Sequence, residues 1–393
     1  MQHSFLEHTS GACAPLRIVQ VVNVRWFNAT AWYGLFLSRI LREHGHQVCV
    51  LGLKDTESFA RAEEWNLDPR PMPLNTATPL GMATLGANMR KLIHTFRPHI
   101  VNCHRGESFL LWAMMKTGKN PFALVRTRGD QRPPKANLVN AFLHGRIADA
   151  VIATSSSIAD GLKERLRVPS GKLHTIFGGV DTRVFAPAPG EALALRESLK
   201  VPSHVKLIGL IGRFDTVKGQ KELIGAYAKM LARMDGRLPD TRLVLAGFST
   251  SALEERTVRQ WVADAGITDK TIFTGRVHNV AALMSALDIG VVASLGSETI
   301  ARVALEIMAC GTPLVGTRVG VMPDLLSPEA LVGPGNEEET AAILERFLTD
   351  EAFAASLREE QAARIRTLTE RDFYAQTMTA YRQAMNIAAG FRE

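Results

Sequence analysis

The sequence predicts two α/β domains, each built on a doubly wound parallel sheet. Short apolar runs alternate with helical patterns along the whole chain, as such sheets require. At 393 residues the chain exceeds what one hydrophobic core usually supports. The alternation breaks once, at APAPG over 186–190, where two prolines and a glycine read as a linker.

Before that linker the strand candidates are residues 16–22, 47–53, 99–103, 123–126 and 150–153. After it they are 205–211, 242–246, 271–274, 289–293 and 314–316. Helix resumes over 191–199, and residues 372–389 form an amphipathic segment expected to pack back on the first domain. The expected division is residues 1–188, residues 189–371 and a returning helix over 372–393.

Composition narrows the class. An apolar fraction of 46% with 22% charged residues is that of a globular enzyme. No run of 18 apolar residues occurs, and MQHSFLEHTSGACAP lacks the basic and apolar regions of a signal peptide. Cys13, Cys49, Cys103 and Cys310 are scattered without a C-x-x-C pair, which argues against a zinc site or disulfide framework and fits a cytoplasmic protein. The net charge of +7 is unevenly shared: residues 1–190 hold 23 basic and 13 acidic side chains, whereas the remainder is slightly acidic. A basic first half suits an anionic partner, namely a phosphorylated acceptor or an anionic membrane surface. No nucleic-acid motif accompanies it, so no nucleic-acid partner is expected.

The most informative stretch is SETIARVALEIMACGTP over 297–313. Ile300, Val303, Ala304, Ile307 and Met308 recur with helical period, Ser297 reads as an N-cap, and Gly311 with Pro313 as a stop. On such a helix Glu298 and Glu306 stand roughly 12 Å apart and about 80° around the axis. That is about the span from the sugar to the ribose of a nucleotide-sugar. The alternative is a solvated face on which Arg302 pairs with both glutamates. Upstream, the strand VKLIGLIG runs into Arg213, and Lys218 follows before a helix over 220–234. Two cations at a strand-to-helix junction can hold a diphosphate, or can simply be a basic surface loop. Neither G-x-G-x-x-G nor a Walker A motif is present.

GRFDTVKG at 212–219 resembles the GR…KG segment of the family 4 glycosyltransferases, retaining enzymes of the GT-B fold. LVLAGFS at 243–249 and FTGRVHNVAALMSALDIGVVAS at 273–294 resemble further segments of that family, as does the 297–313 stretch. IFGGVDTRVF at 176–185 adds its segment before the linker, and GHQV at 45–48 its entry to the second strand. The likeness is denser in the second domain than in the first.

The resemblance implies two Rossmann-like domains facing across a cleft, with a nucleotide-diphosphate sugar held against the second. Arg213 and Lys218 would neutralise the leaving diphosphate. Glu298 would sit near the donor sugar, with backbone amides of Thr299, Ile300 and Ala301 on its hydroxyls or the phosphate. Glu306 would accept from the ribose hydroxyls, and Gly212, Gly247, Phe248 and Val277 would frame the nucleotide. With no D-x-D motif in the chain, no metal or other cofactor is expected. A lysine left unpaired in the empty enzyme would be costly to bury, so an open, wet cleft is expected before substrate binds.

The first domain departs from the pattern. RPHIVNCHRGES at 97–108 has Asn102 where the family has its first histidine and His104 at the second. VRTRGD at 125–130 resembles the family's T-x-H loop but has Gly129 at the histidine position. His104, Arg128 or Asp130 are the candidates for a sugar-facing or acceptor-facing group; His104 can equally be a satisfied strand-end histidine. RWFNATAWYG at 25–34 replaces the family's Gly-Gly turn with bulky rings that either pack a helix start or stack an acceptor. FLLWAMM at 109–115 is either a buried helix or a docking face for a lipid-linked acceptor.

The expected function is retaining transfer of a hexose-type sugar to an acceptor hydroxyl of a glycan or lipid-linked glycan, in bacterial surface-polysaccharide or lipopolysaccharide assembly. The alternatives are a sugar-nucleotide-binding protein without catalysis and another GT-B enzyme such as an epimerase.

Overall fold

A computed structural model describes residues 14–76, 78–116, 122–233, 239–296 and 298–390. Two parallel sheets organise them. The first contains β1 (Arg17–Val22), β2 (Gln47–Gly52), β3 (Arg70–Pro71), β4 (Ile100–Cys103), β5 (Ala123–Arg128), β6 (Ala150–Ala153) and β7 (Leu173–Thr175), in the order β3-β2-β1-β4-β5-β6-β7. The second contains β8 (Lys206–Ile211), β9 (Thr241–Ala246), β10 (Thr271–Gly275), β11 (Ile289–Val292), β12 (Leu314–Thr317) and β13 (Leu331–Val332), in the order β10-β9-β8-β11-β12-β13. Each order reverses beside its first strand, which opens a crevice at the carboxyl ends of the strands. All ten strand candidates form; β3, β7 and β13 are additional, and each is a short sheet edge.

Strands buried on both faces read as apolar runs, and β1, β4, β6 and β12 are buried along nearly their whole length. The two sheets share one polar device. Asp149 accepts from the Leu124 amide while its own amide donates back to the Leu124 carbonyl. Asp288 makes the same two bonds with Leu207. Each aspartate is neutralised from the side, Asp149 by Lys116 at 2.6 Å and Asp288 by Lys206 at 2.9 Å.

Two crossings join the sheets and touch each other. Val180 donates to the Leu368 carbonyl and accepts from the Glu370 amide, a bridge between the 176–185 segment and the start of the last helix. That helix, Glu370–Gly390, lies on the first sheet against β5, β6 and the Ala29–Glu43 helix. Tyr381, fully buried, accepts from Gln20 and Asn102 at 2.9 Å each. The linker is shorter than its composition suggests, because Pro189 begins the next helix, Pro189–Ser198. Proline is well suited to that first position.

Candidate functional site

The carboxyl ends of the two sheets face each other. Thr154, just past β6, donates its hydroxyl to the Thr299 carbonyl at 3.1 Å, and the Ser156 amide donates to Asp324 at 2.9 Å. Ile300 is buried in the first domain's apolar cluster beside Trp32 and Ile176, although its chain belongs to the second. The two domains therefore touch directly at this point.

Lys218 and Glu298 meet in this interface. Lys218 Nζ lies 2.5 Å from Glu298 Oε1, which also accepts from the Ser294 hydroxyl at 2.5 Å. Glu298 is buried and Lys218 mostly so, and their pairing offsets the cost of desolvating both. Two glycines set the geometry. Gly219, at φ +72°, follows Lys218, and a Cβ there would fall 1.9 Å from the Ala293 carbonyl oxygen. Gly320, at φ +56°, has the Glu298 carbonyl 1.8 Å from its Cβ position, and Val321 donates to that carbonyl at 2.8 Å.

The 297–313 stretch is not one helix. The helix is Arg302–Ala309, and its N-cap residue Ala301 is left-handed at φ +49°. Glu298 lies before that bend, in a segment tied to Val321 and Thr154, so it and Glu306 do not share a helical face. The N-cap expected at Ser297 lies outside the described residues. A non-glycine residue in this conformation is strained, and such strain gathers at functional sites. The amides of Thr299, Ile300, Ala301, Arg302 and Val303 have no acceptor among the described residues, which leaves a row of donors beside Lys218.

Glu306 is placed elsewhere. Its carboxylate pairs with Arg302 at 2.9 Å, so Arg302 pairs with one of the two glutamates and not with the other. Burial pushes the Glu306 carboxyl up to about 6, while Arg302 pulls the other way. Glu306 lines a cavity of about 230 Å³ with Trp32, Phe36, Arg39, Asp181 and Arg302; neither Lys218 nor Glu298 reaches it. Arg213 shares the loop of Lys218, but its guanidinium turns to Asp215 at 3.0 Å and is about half exposed. Gly212 and Gly247 adjoin at the ends of β8 and β9, with the Gly212 amide on the Ala246 carbonyl. Val277 packs against the same end of the sheet, and Arg276 covers the Phe248 ring at 4.0 Å.

In the first domain the three candidates for a sugar-facing or acceptor-facing group lie in different surroundings. His104 is buried under the Ala29–Glu43 helix, donates from Nε2 to Gln20 at 2.8 Å, and is pushed down to about 3 by burial and by Arg126. Arg128 donates to the Arg132 carbonyl, and Asp130 is held by Arg132 at 2.8 Å. The residue that reaches Glu298 from this side is Gln131, whose buried Nε2 has no partner and lies 2.0 Å from the Cβ position of Gly320. No motif signals Gln131, because its placement depends on a loop crossing to the other domain. The FLLWAMM helix is buried on one side, with Phe109 and Trp112 in the core, and leaves Leu110 and Met114 exposed. Trp32 stacks on Phe36 at 4.7 Å and packs the helix start.

A model described as glycosyl transferases group 1 matches residues 192–365, and one described as glycosyltransferase family 4 matches residues 32–184. The chain belongs to family 4 of the glycosyltransferases. It is 31% identical over 210 residues to a D-inositol 3-phosphate glycosyltransferase of Stackebrandtia nassauensis, covering 52% of this chain and 47% of that one. It is 32% identical over 201 residues to LpsB of Rhizobium meliloti, a lipopolysaccharide core biosynthesis mannosyltransferase, covering 51% and 52%. The chain thus spans about half the length of the curated relatives it matches. Among solved structures, a glycosyltransferase from Rickettsia africae superposes with a TM-score of 0.81 at 17% identity, covering 95% of this chain and 99% of that one. HepE of Anabaena, solved with UDP and glucose, gives 0.75 at 19% identity, covering 93% and 98%. At these identities the likeness establishes the GT-B fold of the family. No helix among the described residues is long and apolar enough to cross a membrane.

Proposed function

We propose that this family 4 member is a retaining glycosyltransferase that moves a sugar from a nucleotide diphosphate to an acceptor hydroxyl, in glycan or lipopolysaccharide assembly. The observation that carries the reading is the cluster of Lys218, Glu298 and Ser294 in the second domain, next in the chain to amides that have no acceptor among the described residues. Cleavage of a glycosyl–phosphate bond leaves about one additional negative charge on the diphosphate. Lys218 meets that charge together with Arg213, once Arg213 leaves the exposed contact with Asp215. Fixed donors of this kind are each worth about 3–4 kcal/mol of barrier. The diphosphate is stabilised by these side chains and amides without a metal or other cofactor. Glu298 orients the donor sugar while keeping Lys218 in place, and Glu306 receives the ribose when Arg302 yields. Gly212, Gly247, Phe248 and Val277 form the floor of the base.

The acceptor rests on the basic first domain. Exposed Leu80, Leu110, Met114, Leu138, Val139 and Phe142 on that domain, with its basic surplus, suit a lipid-linked acceptor at an anionic membrane surface. A thermal-shift panel of nucleotide-sugars tests the donor half. A ligand at a hundred times its dissociation constant adds roughly 2.7 kcal/mol, whereas free sugars should add nothing measurable. UDP-glucose is the first to try, because HepE has been solved with it. The absence of a shift with every nucleotide-sugar would contradict the reading.

A further inference from the structure

We infer that the ends of β4 and β5 form a binding site for a phosphate group on the acceptor, built around Arg126. This rests on the donor reading above and extends it to the acceptor's chemistry. Arg126 is 4% exposed, yet has no carboxylate partner among the described residues. Its hydrogen bonds go to two carbonyl oxygens, those of Cys103 and Thr127, and its Nε has no partner. A buried guanidinium held only by neutral groups is costly, and a buried anion removes that cost.

Two further cations adjoin it. Arg128 stands two residues along the same strand, on the same face and about 7 Å away. Like Arg126 it makes no ion pair among the described residues, and its bond is to the Arg132 carbonyl. Arg105 follows β4 directly, two residues beyond the Cys103 carbonyl that Arg126 grips, and is partly offset by Glu107 at 3.0 Å. Burial and the neighbouring arginines lower the Arg126 guanidinium to about 10, the direction expected of a cation crowded by cations. Glu107 and Asp130 act on Arg126 and Arg128 through space without bonding to either, so both guanidiniums keep donors for a phosphate monoester, which carries a charge of about −1.5 to −2 at neutral pH.

The location suits an acceptor. Past Arg128 the same loop continues through Gly129, in contact with Thr154, to Gln131 against Gly320. The arginines therefore flank the interface where Lys218 and Glu298 meet, on its first-domain side. An acceptor anchored by its phosphate here would present a hydroxyl toward the donor sugar.

Inorganic phosphate, titrated calorimetrically into the full-length protein, tests the assignment. Wild type should bind at two sites. R213A/K218A should lose the donor-side site and keep the other, whereas R105Q/R128Q should weaken that other site at least tenfold. Arg105 and Arg128 are at least partly exposed, so their replacement should leave the melting temperature unchanged and keep the test valid if Arg126→Met does not fold. Phosphate binding that is unaltered in R105Q/R128Q would overturn the inference. Loss of the arginine-dependent site with no effect of R213A/K218A would instead contradict the donor reading while leaving this one standing.

Discussion

Lys218 and Glu306 show how differently two charged residues of one proposed site are treated. Lys218 is paired with the buried Glu298, so its removal leaves that carboxylate without its cation and should cost stability as well as chemistry. Lys218→Ala should lower turnover at least a hundredfold, measured as donor hydrolysis or transfer at a temperature where a lowered but cooperative melting transition shows the variant folded. Near-normal activity in that variant would remove the charge-neutralisation argument. Glu306 is buried with a carboxyl raised from 4.5 to about 6. The folded state therefore holds its proton more tightly than the unfolded chain does. Below about pH 4.5 the ionised form costs nothing, the cost grows as pH rises to about 6, and above that it is complete. It amounts to about 2 kcal/mol. Glu306→Gln should accordingly raise the melting temperature above pH 6 and leave it unchanged near pH 4, as a pH series of thermal melts will show. The two glutamates were legible as residues, but not their separation. Periodicity through Ile300 and Val303 implies helix from 298, and it misses that Ile300 belongs to the other domain's core.

The elements that hold these residues are loops gripped at close quarters by glycines. Gly219→Ala would drive a methyl into the Ala293 carbonyl and displace Lys218. It should cost activity at least tenfold and stability about 1–3 kcal/mol, read from turnover and urea unfolding. The returning helix is held differently. Tyr381→Phe would leave the amide groups of Gln20 and Asn102 without their buried acceptor. A loss of about 1–3 kcal/mol in urea unfolding is expected, with donor binding unchanged. At this scale the sequence was most readable, because a strand buried on both faces must be apolar throughout. β3, β7 and β13 escaped notice because two or three residues at a sheet edge carry too little pattern.

Over the whole molecule, contacts that cross between the domains bring the proposed site together. Thr154 on Thr299, Ser156 on Asp324 and Gln131 against Gly320 each join residues well over a hundred positions apart. No local pattern encodes such pairs, which is why the sequence carries no signal for Gln131, whereas Arg213 and Lys218 stand in a recognisable segment. Val180 and Thr182 both bond to the 368–370 segment and tie the two crossings together. A crystal structure of the protein with an intact nucleotide-sugar tests the central claim most directly. The account predicts Lys218 Nζ and the Arg213 guanidinium within hydrogen-bond reach of the diphosphate, Glu298 beside the sugar and Glu306 on the ribose. A ligand bound away from these four groups, or bound with them still turned to Asp215, Glu298 and Arg302 alone, would contradict it.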